Sequence, residues 1–173
     1  MDTNKVGQLT NGDVYWRDNL CVGRFKACER PKIQYESVDH ASLGMIAEFG
    51  APSRQLKKMT GKLDLQFLDV DLLAEAYNPT IGIPLTLDAP VDIFGSGGLD
   101  ISRGYRLTWH MTVMFGTTSS GGHKLSNDFS AEWEYSCLRF VEKASNKSVP
   151  LREIDVMAQV NRINGVDVWP RYG

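Results

Sequence analysis

The 173-residue sequence predicts a mainly β, antiparallel protein with a single helix, on three observations. Apolar residues recur with a period of two through most of the chain, the pattern of strands with one buried and one wet face. Turn chemistry punctuates that alternation, most clearly at Asp18-Asn19 and Asn164-Gly165. Only one segment carries both helical spacing and end signals.

Taken in order, residues 14–16 and 20–25 flank Asp18-Asn19 as a short hairpin, and residues 32–38 read as a further strand. Residues 40–56 hold Leu43, Met45, Ile46 and Phe49, broken up by Gly44, Gly50 and Pro52, and read as a long irregular loop. Loops of that length in a compact domain are usually functional, and an apolar one needs something to cover it. One cover is its own core; the other is another subunit. Leu63, Leu65 and Phe67 then alternate with Lys62, Asp64 and Gln66. The helix is expected at residues 70–77, with Asp69 as its cap, Leu72, Leu73 and Ala76 on one face, and Asn78-Pro79 as its stop. Residues 79–103 resist placement beyond a flexible turn at Gly95-Ser96-Gly97-Gly98.

In the second half, Leu107, Trp109, Met111, Val113 and Phe115 alternate with Arg106, Thr108, His110, Thr112 and Met114 over residues 106–115, giving one long strand. A Gly/Ser/Asn-rich loop at 116–128 leads into a second long strand at 129–143, where Phe129, Ala131, Trp133, Tyr135 and Cys137 share a face. Together they read as a long β-hairpin spanning residues 105–143. A strand at 154–160 follows, and Asn164-Gly165, which tolerates φ > 0 at both positions, folds residues 166–169 back onto it until Pro170.

Length and composition fit a single domain over residues 1–173, with 42% apolar residues to build a core. Nineteen basic against 21 acidic residues give a charge of −2, which disfavours phosphate clamping. No apolar run reaches the roughly 18 residues of a membrane span, and the first twelve residues lack a signal-peptide core, so a protein made and kept in a cytosol, without membrane anchoring, is expected. Cys21, Cys28 and Cys137 lack zinc-knuckle spacing and are expected as reduced, buried thiols.

Constellations for catalysis are weak. His40, His110 and His123 are scattered, no serine lies in a nucleophile elbow, and the Gly95–Gly98 run lacks the Lys-Ser or Lys-Thr of a phosphate loop. Glu132 with Glu134, or Glu153 with Asp155, would offer a hydrolase a carboxylate pair, but two acids two residues apart are more often the wet face of a strand. No cofactor or metal is implied. A long polar strand face does suit the wall of a water-filled channel when several subunits join.

The order of elements, with Val22-Gly23, Lys26 and Pro31-Lys32-Ile33 near the start, the loop from Gly44-Met45 to Ala51-Pro52, the strand-to-helix stretch at 62–77 and Thr112-Val113-Met114-Phe115-Gly116, resembles the major tail tube protein of contractile-tailed bacteriophages. That family includes the tube subunits of tailocins such as R-type pyocins. Tyr135-Ser136-Cys137-Leu138-Arg139-Phe140, residues 154–160 and the closing stretch 160–167 are its most specific matches. The resemblance implies an antiparallel β-sandwich or barrel with one flanking α-helix, a long β-hairpin and an extended inter-subunit loop at 40–56. It implies a non-enzymatic subunit of the virion tail, assembled in the host cytoplasm. Its partners would be copies of itself in hexameric rings stacked into a tube, the tail sheath protein, the baseplate hub, the tail terminator and, in the lumen during assembly, the tape measure protein. DNA would pass without specific binding. Leu43, Met45, Ile46 and Phe49 are then candidates for the inter-subunit contact, and Asp64, Gln66, Glu132, Glu134, Glu153 and Asp155 for the lumen; six subunits give 6 × (−2), a charge of −12 per ring, and a similarly signed lumen would repel phosphates. A genome-free injection machine, a soluble ligand-binding β-barrel and a paired-carboxylate hydrolase are the rival readings.

Overall fold

A computed structural model describes residues 5–122 and 129–169. Thirteen strands and one helix are found among them: β1 (Val6–Leu9), β2 (Asp13–Trp16), β3 (Asn19–Leu20), β4 (Phe25–Glu29), β5 (Tyr35–His40), β6 (Phe49–Leu56), β7 (Thr60–Leu65), α1 (Val70–Ala76), β8 (Ile83–Gly95), β9 (Gly98–Thr117), β10 (Ala131–Ala144), β11 (Arg152–Asp155), β12 (Val160–Ile163) and β13 (Val166–Asp167). The protein is mainly β and antiparallel throughout, with one short helix.

The frame is three long strands. β9 pairs with β8 along one edge and with β10 along the other, so its backbone groups are satisfied on both sides. Its residues then divide by parity. Trp109, Met111, Val113 and Phe115 are buried, as the alternation predicts, while His110, Thr112 and Met114 stand on the opposite face. The Gly95–Gly98 run is the β8–β9 hairpin turn, where Gly98 has φ 102°, a value that favours glycine.

Each outer long strand serves several partners in succession. β8 takes β2 along Leu85–Asp88 and β1 along Val91–Phe94. β10 takes β7 along Ala131–Ser136, then bulges between Cys137 and Arg139 and takes β11 along Arg139–Glu142. The seven-strand run β3-β2-β8-β9-β10-β7-β4 curls around the core until its two ends, β3 and β4, are joined by only residues 21–24. No ladder links β3 to β4, so the expected alternative of a closed barrel is corrected to an open, sandwich-like curl.

Aromatic rings fill that curl. Phe115 lies between Trp16, stacked at 5.5 Å, and the edges presented by Trp133 at 5.6 Å and Tyr135 at 6.1 Å. Helix α1 covers the gap between the sheet ends, burying Leu72 and Ala76. Trp16 Nε1 donates to Glu75 Oε2 at 2.8 Å and Arg17 pairs with the same carboxylate at 3.0 Å, which holds the Glu75 carboxyl below its usual range. Arg24, from the linker, pairs with the cap residue Asp69 at 2.7 Å.

Several expected boundaries shift. The first hairpin turns at Arg17-Asp18, not Asp18-Asn19. Arg17 takes φ 55°, held by its backbone N–H on the Pro84 carbonyl and its guanidinium on Glu75. Residues 20–25 do not form one strand, because Gly23 at φ 72° turns the chain between β3 and β4. β7 stops at Leu65, so Gln66 sits in the bend toward α1 and Phe67 is exposed. The expected strand at 154–160 is two strands, β11 and β12, with residues 156–159 turning between them and Gln159 at φ 54°. Asn164 and Gly165 both have positive φ, as expected of a tight turn.

Gly61 shows how closely the layers approach. The Tyr135 hydroxyl donates to the Glu29 carbonyl at 2.6 Å, directly over Gly61, and a Cβ there would meet both that hydroxyl and, at 2.6 Å, the Glu29 oxygen. Gly61→Ala is expected to lower stability by about 1–3 kcal/mol through overpacking, measured as a drop in the denaturation midpoint; an unchanged midpoint would contradict this packing.

Candidate assembly surfaces

The stretch expected as an irregular loop is an arm. Among the described residues, β5 and β6 pair only with each other, in a two-stranded sheet separate from the eleven-stranded one. Alternation is lost here because neither face of the arm is buried: Val38 is exposed, as are most residues of both strands. Residues 41–48 form its tip, turned by Gly44 at φ 91°. Leu43 and Ile46 are fully exposed there, with Met45 and Phe49 partly so, and His40 stacks on Phe49 at 5.3 Å. At its root the arm is anchored where Lys57 N donates to the Gln34 carbonyl and Asn161 Nδ2 donates to the Tyr35 hydroxyl.

The second surface is the wet face of the long strands. Directly paired residues share a face of a sheet, so the register brings Asp64, Glu132, Glu134, Glu153 and Asp155 to one side, opposite the core. Gln66 does not join them. Cations that the sequence reading passed over are interleaved with these acids. Lys62 bridges Glu132 at 2.8 Å and Glu134 at 3.6 Å, Arg162 meets Glu153 at 3.3 Å, and Arg139 approaches Asp155 at 3.9 Å. Ser130 donates to Asp64 at 2.7 Å. Farther along, Arg106 pairs with Asp88 at 2.7 Å, and His110 shares a 3.1 Å hydrogen bond with Thr86. The face is polar with near-balanced charge, where sequence reasoning expected an acidic one.

Residues 7–172 match the family model of the phage tail tube protein FII. The chain belongs to the phage tail tube protein FII family. Its fold is shared with a chain of the sheath–tube complex of an extracellular contractile injection system, PVC, in the extended state. That pair has 16% identity and a TM-score of 0.53, over 77% of this chain and 88% of that one. A chain of the PVC sheath/tube terminator in the extended state is similar at 15% identity and TM-score 0.52, covering 78% and 94%. No curated protein matches the chain.

Tail tube proteins are structural, so the chain is a subunit of a tail tube and not an enzyme. The carboxylate pairs proposed for a hydrolase belong to the wet strand face, tied to Lys62 and Arg162. Cys21 and Cys137 are buried free thiols and Cys28 is half-buried. Burial pushes Cys28 and Cys137 up to about 12. His123 lies outside the described residues. Two further surfaces escaped sequence reasoning. Exposed Val6, Leu9, Leu99 and Ile101 mark the tip built by β1, β8 and β9, and an apolar groove lies at the arm's root. Ile83, Leu85, Leu87, Ala89, Val91 and Ile93 alternate cleanly enough to have revealed β8, and with it the β1–β8–β9 tip.

His110 reports on the wet face. Burial, and then the charges of Lys143 and Arg139, hold its pKa below the ordinary 6.5, with Asp88 opposing them. The unfolded chain therefore takes up this proton first. Stability falls as pH drops from about 6.5 to the folded-state pKa, then levels. His110→Gln is expected to flatten that part of the melting temperature against pH; a profile identical to the parent protein's would contradict the placement of these charges.

Proposed function

We propose that this tail tube protein closes into six-membered rings that stack into a hollow tube inside a contractile sheath, and that the tube is the conduit through which DNA leaves the virion. The arm carries this reading. An isolated two-stranded hairpin is marginal in water, and this one holds out large apolar side chains that its own chain leaves uncovered. Burying a Leu, Ile or Phe fully contributes about 1.5–3 kcal/mol each, so contact with a neighbouring copy would stabilise both arm and ring. Leu43, Met45, Ile46 and Phe49 are the contact residues in this reading. Because root and tip are different patches, the contact is heterologous, the kind that generates rings and stacks.

The wet face would line the lumen, with Asp64, Glu132, Glu134, Glu153 and Asp155 and their interleaved cations facing the passing strand. Such a wall offers no continuous basic track for phosphates. The sheath would wrap the outside, a terminator and baseplate hub would cap the ends, and a tape measure protein would occupy the bore during assembly. The similar folds come from a contractile injection system, which favours as second reading a tube of such a machine.

Electron microscopy of the concentrated protein is the test, with hollow tubes or six-fold rings as the expected result; monomers that persist even with baseplate extract would overturn the reading. The double substitution Ile46→Ala with Phe49→Ala is expected to raise the concentration needed for polymerisation while leaving the thermal transition in place. Normal polymerisation by that folded variant would remove the arm from the interface. Glu132→Lys with Glu134→Lys, beside Lys62, is expected to slow DNA release at unchanged tube length, and an unaltered release rate would move these residues out of the lumen.

A further inference from the structure

A groove opens where two strands part company along one edge of β10. β7 leaves that edge after Ser136 and β11 joins it at Arg139, with the Cys137–Arg139 bulge between them. Between the arm's root and the β11–β12 turn this leaves a cavity of about 410 Å³, lined by Leu56, Met59, Leu138, Val156 and Val160. Asn161 also lines it. That residue is only 4% exposed, its amide nitrogen is used on Tyr35, and its Oδ1 accepts no hydrogen bond among the described residues. A buried acceptor without a donor is costly, and an incoming N–H or O–H removes the cost.

We infer that this groove is the receptacle for the arm tip, residues 41–48, of a neighbouring copy, which deepens the assembly reading above and rests on it. The tip supplies what the groove lacks: Leu43, Met45 and Ile46 as apolar filling, and the Ser42 hydroxyl and tip amides as donors for Asn161. Charge agrees as well. Glu48 is the one charged residue of the tip, and along the groove the cations Arg54, Lys57 (paired with Glu36 at 3.7 Å) and Lys58 outnumber the one acid, Asp155. A copy's own tip does not reach. The groove begins at the root of the arm, and β6 alone, at about 3.3 Å per residue, carries the chain roughly 23 Å away from it. Filler and receptacle therefore sit at opposite ends of one arm, and each copy fills the next.

The test mixes two preparations, one carrying Ile46→Cys and the other Val156→Cys, assembles them into tubes and adds a short bifunctional thiol crosslinker. Both preparations also carry Cys137→Ser, because that thiol lines the groove itself; Cys21 is buried and Cys28 half-buried, and tubes without the added cysteines give the background. The expected result is a crosslinked dimer from the mixture, absent from either preparation alone and absent before assembly. Glu48→Cys serves as a second tip position if Ile46→Cys blocks assembly. Tubes that form without the mixed dimer would overturn the groove as receptacle and leave the tube reading standing. Failure of the unsubstituted protein to form tubes or rings would overturn the assembly reading itself, and this inference with it.

Discussion

The double pairing of β9 is the constraint on which the rest depends. A strand of 20 residues with a partner along each edge cannot slip by one residue without turning Trp109, Met111, Val113 and Phe115 out of the core and His110 and Thr112 into it. That register sets both faces of the subunit at once. The inner face receives Trp16, Trp133 and Tyr135 around Phe115, and the outer face inherits a stripe of polar residues. The outer edges of β8 and β10 are then free to be shared among shorter strands. Where one short strand gives way to the next, the molecule acquires the features that set it apart from a plain sandwich.

One such junction accommodates a proline inside a long strand. Pro90 falls between the segment of β8 that pairs with β2 and the segment that pairs with β1, a place where proline interrupts no continuous ladder on that edge. The long strands, the single helix with its Asp69 cap and the Asn164-Gly165 turn were legible because each is specified locally, by alternation, capping or turn chemistry. The β11–β12 turn was not, since Val156 and Val160 continue an apolar alternation straight through it. The arm was hidden for a different reason: a strand with both faces in solvent has no reason to alternate.

The candidate surfaces divide in the same way. Leu43, Met45, Ile46 and Phe49 stood out as apolar residues among glycines, and they are exposed on the arm. Five of the six acidic or amide residues expected on a polar strand face share one, while Gln66 lies beyond the end of β7. The balance of charge on that face depends on Lys62, Arg139 and Arg162, which meet the acids across strands. The groove draws on four separated stretches of chain, with an orphaned Asn161 oxygen that only burial reveals.

The subunit is thus a curled sheet carrying a separate two-stranded arm, a shape that makes physical sense when a neighbour completes it. Hydrogen exchange on free subunits and on assembled tubes tests that most directly. Amides of residues 35–56, and above all those of the tip at 41–48, should exchange quickly in the free subunit and slowly in the tube, while those of β9 are slow in both. Tip amides that exchange as fast in tubes as in free subunits would contradict it.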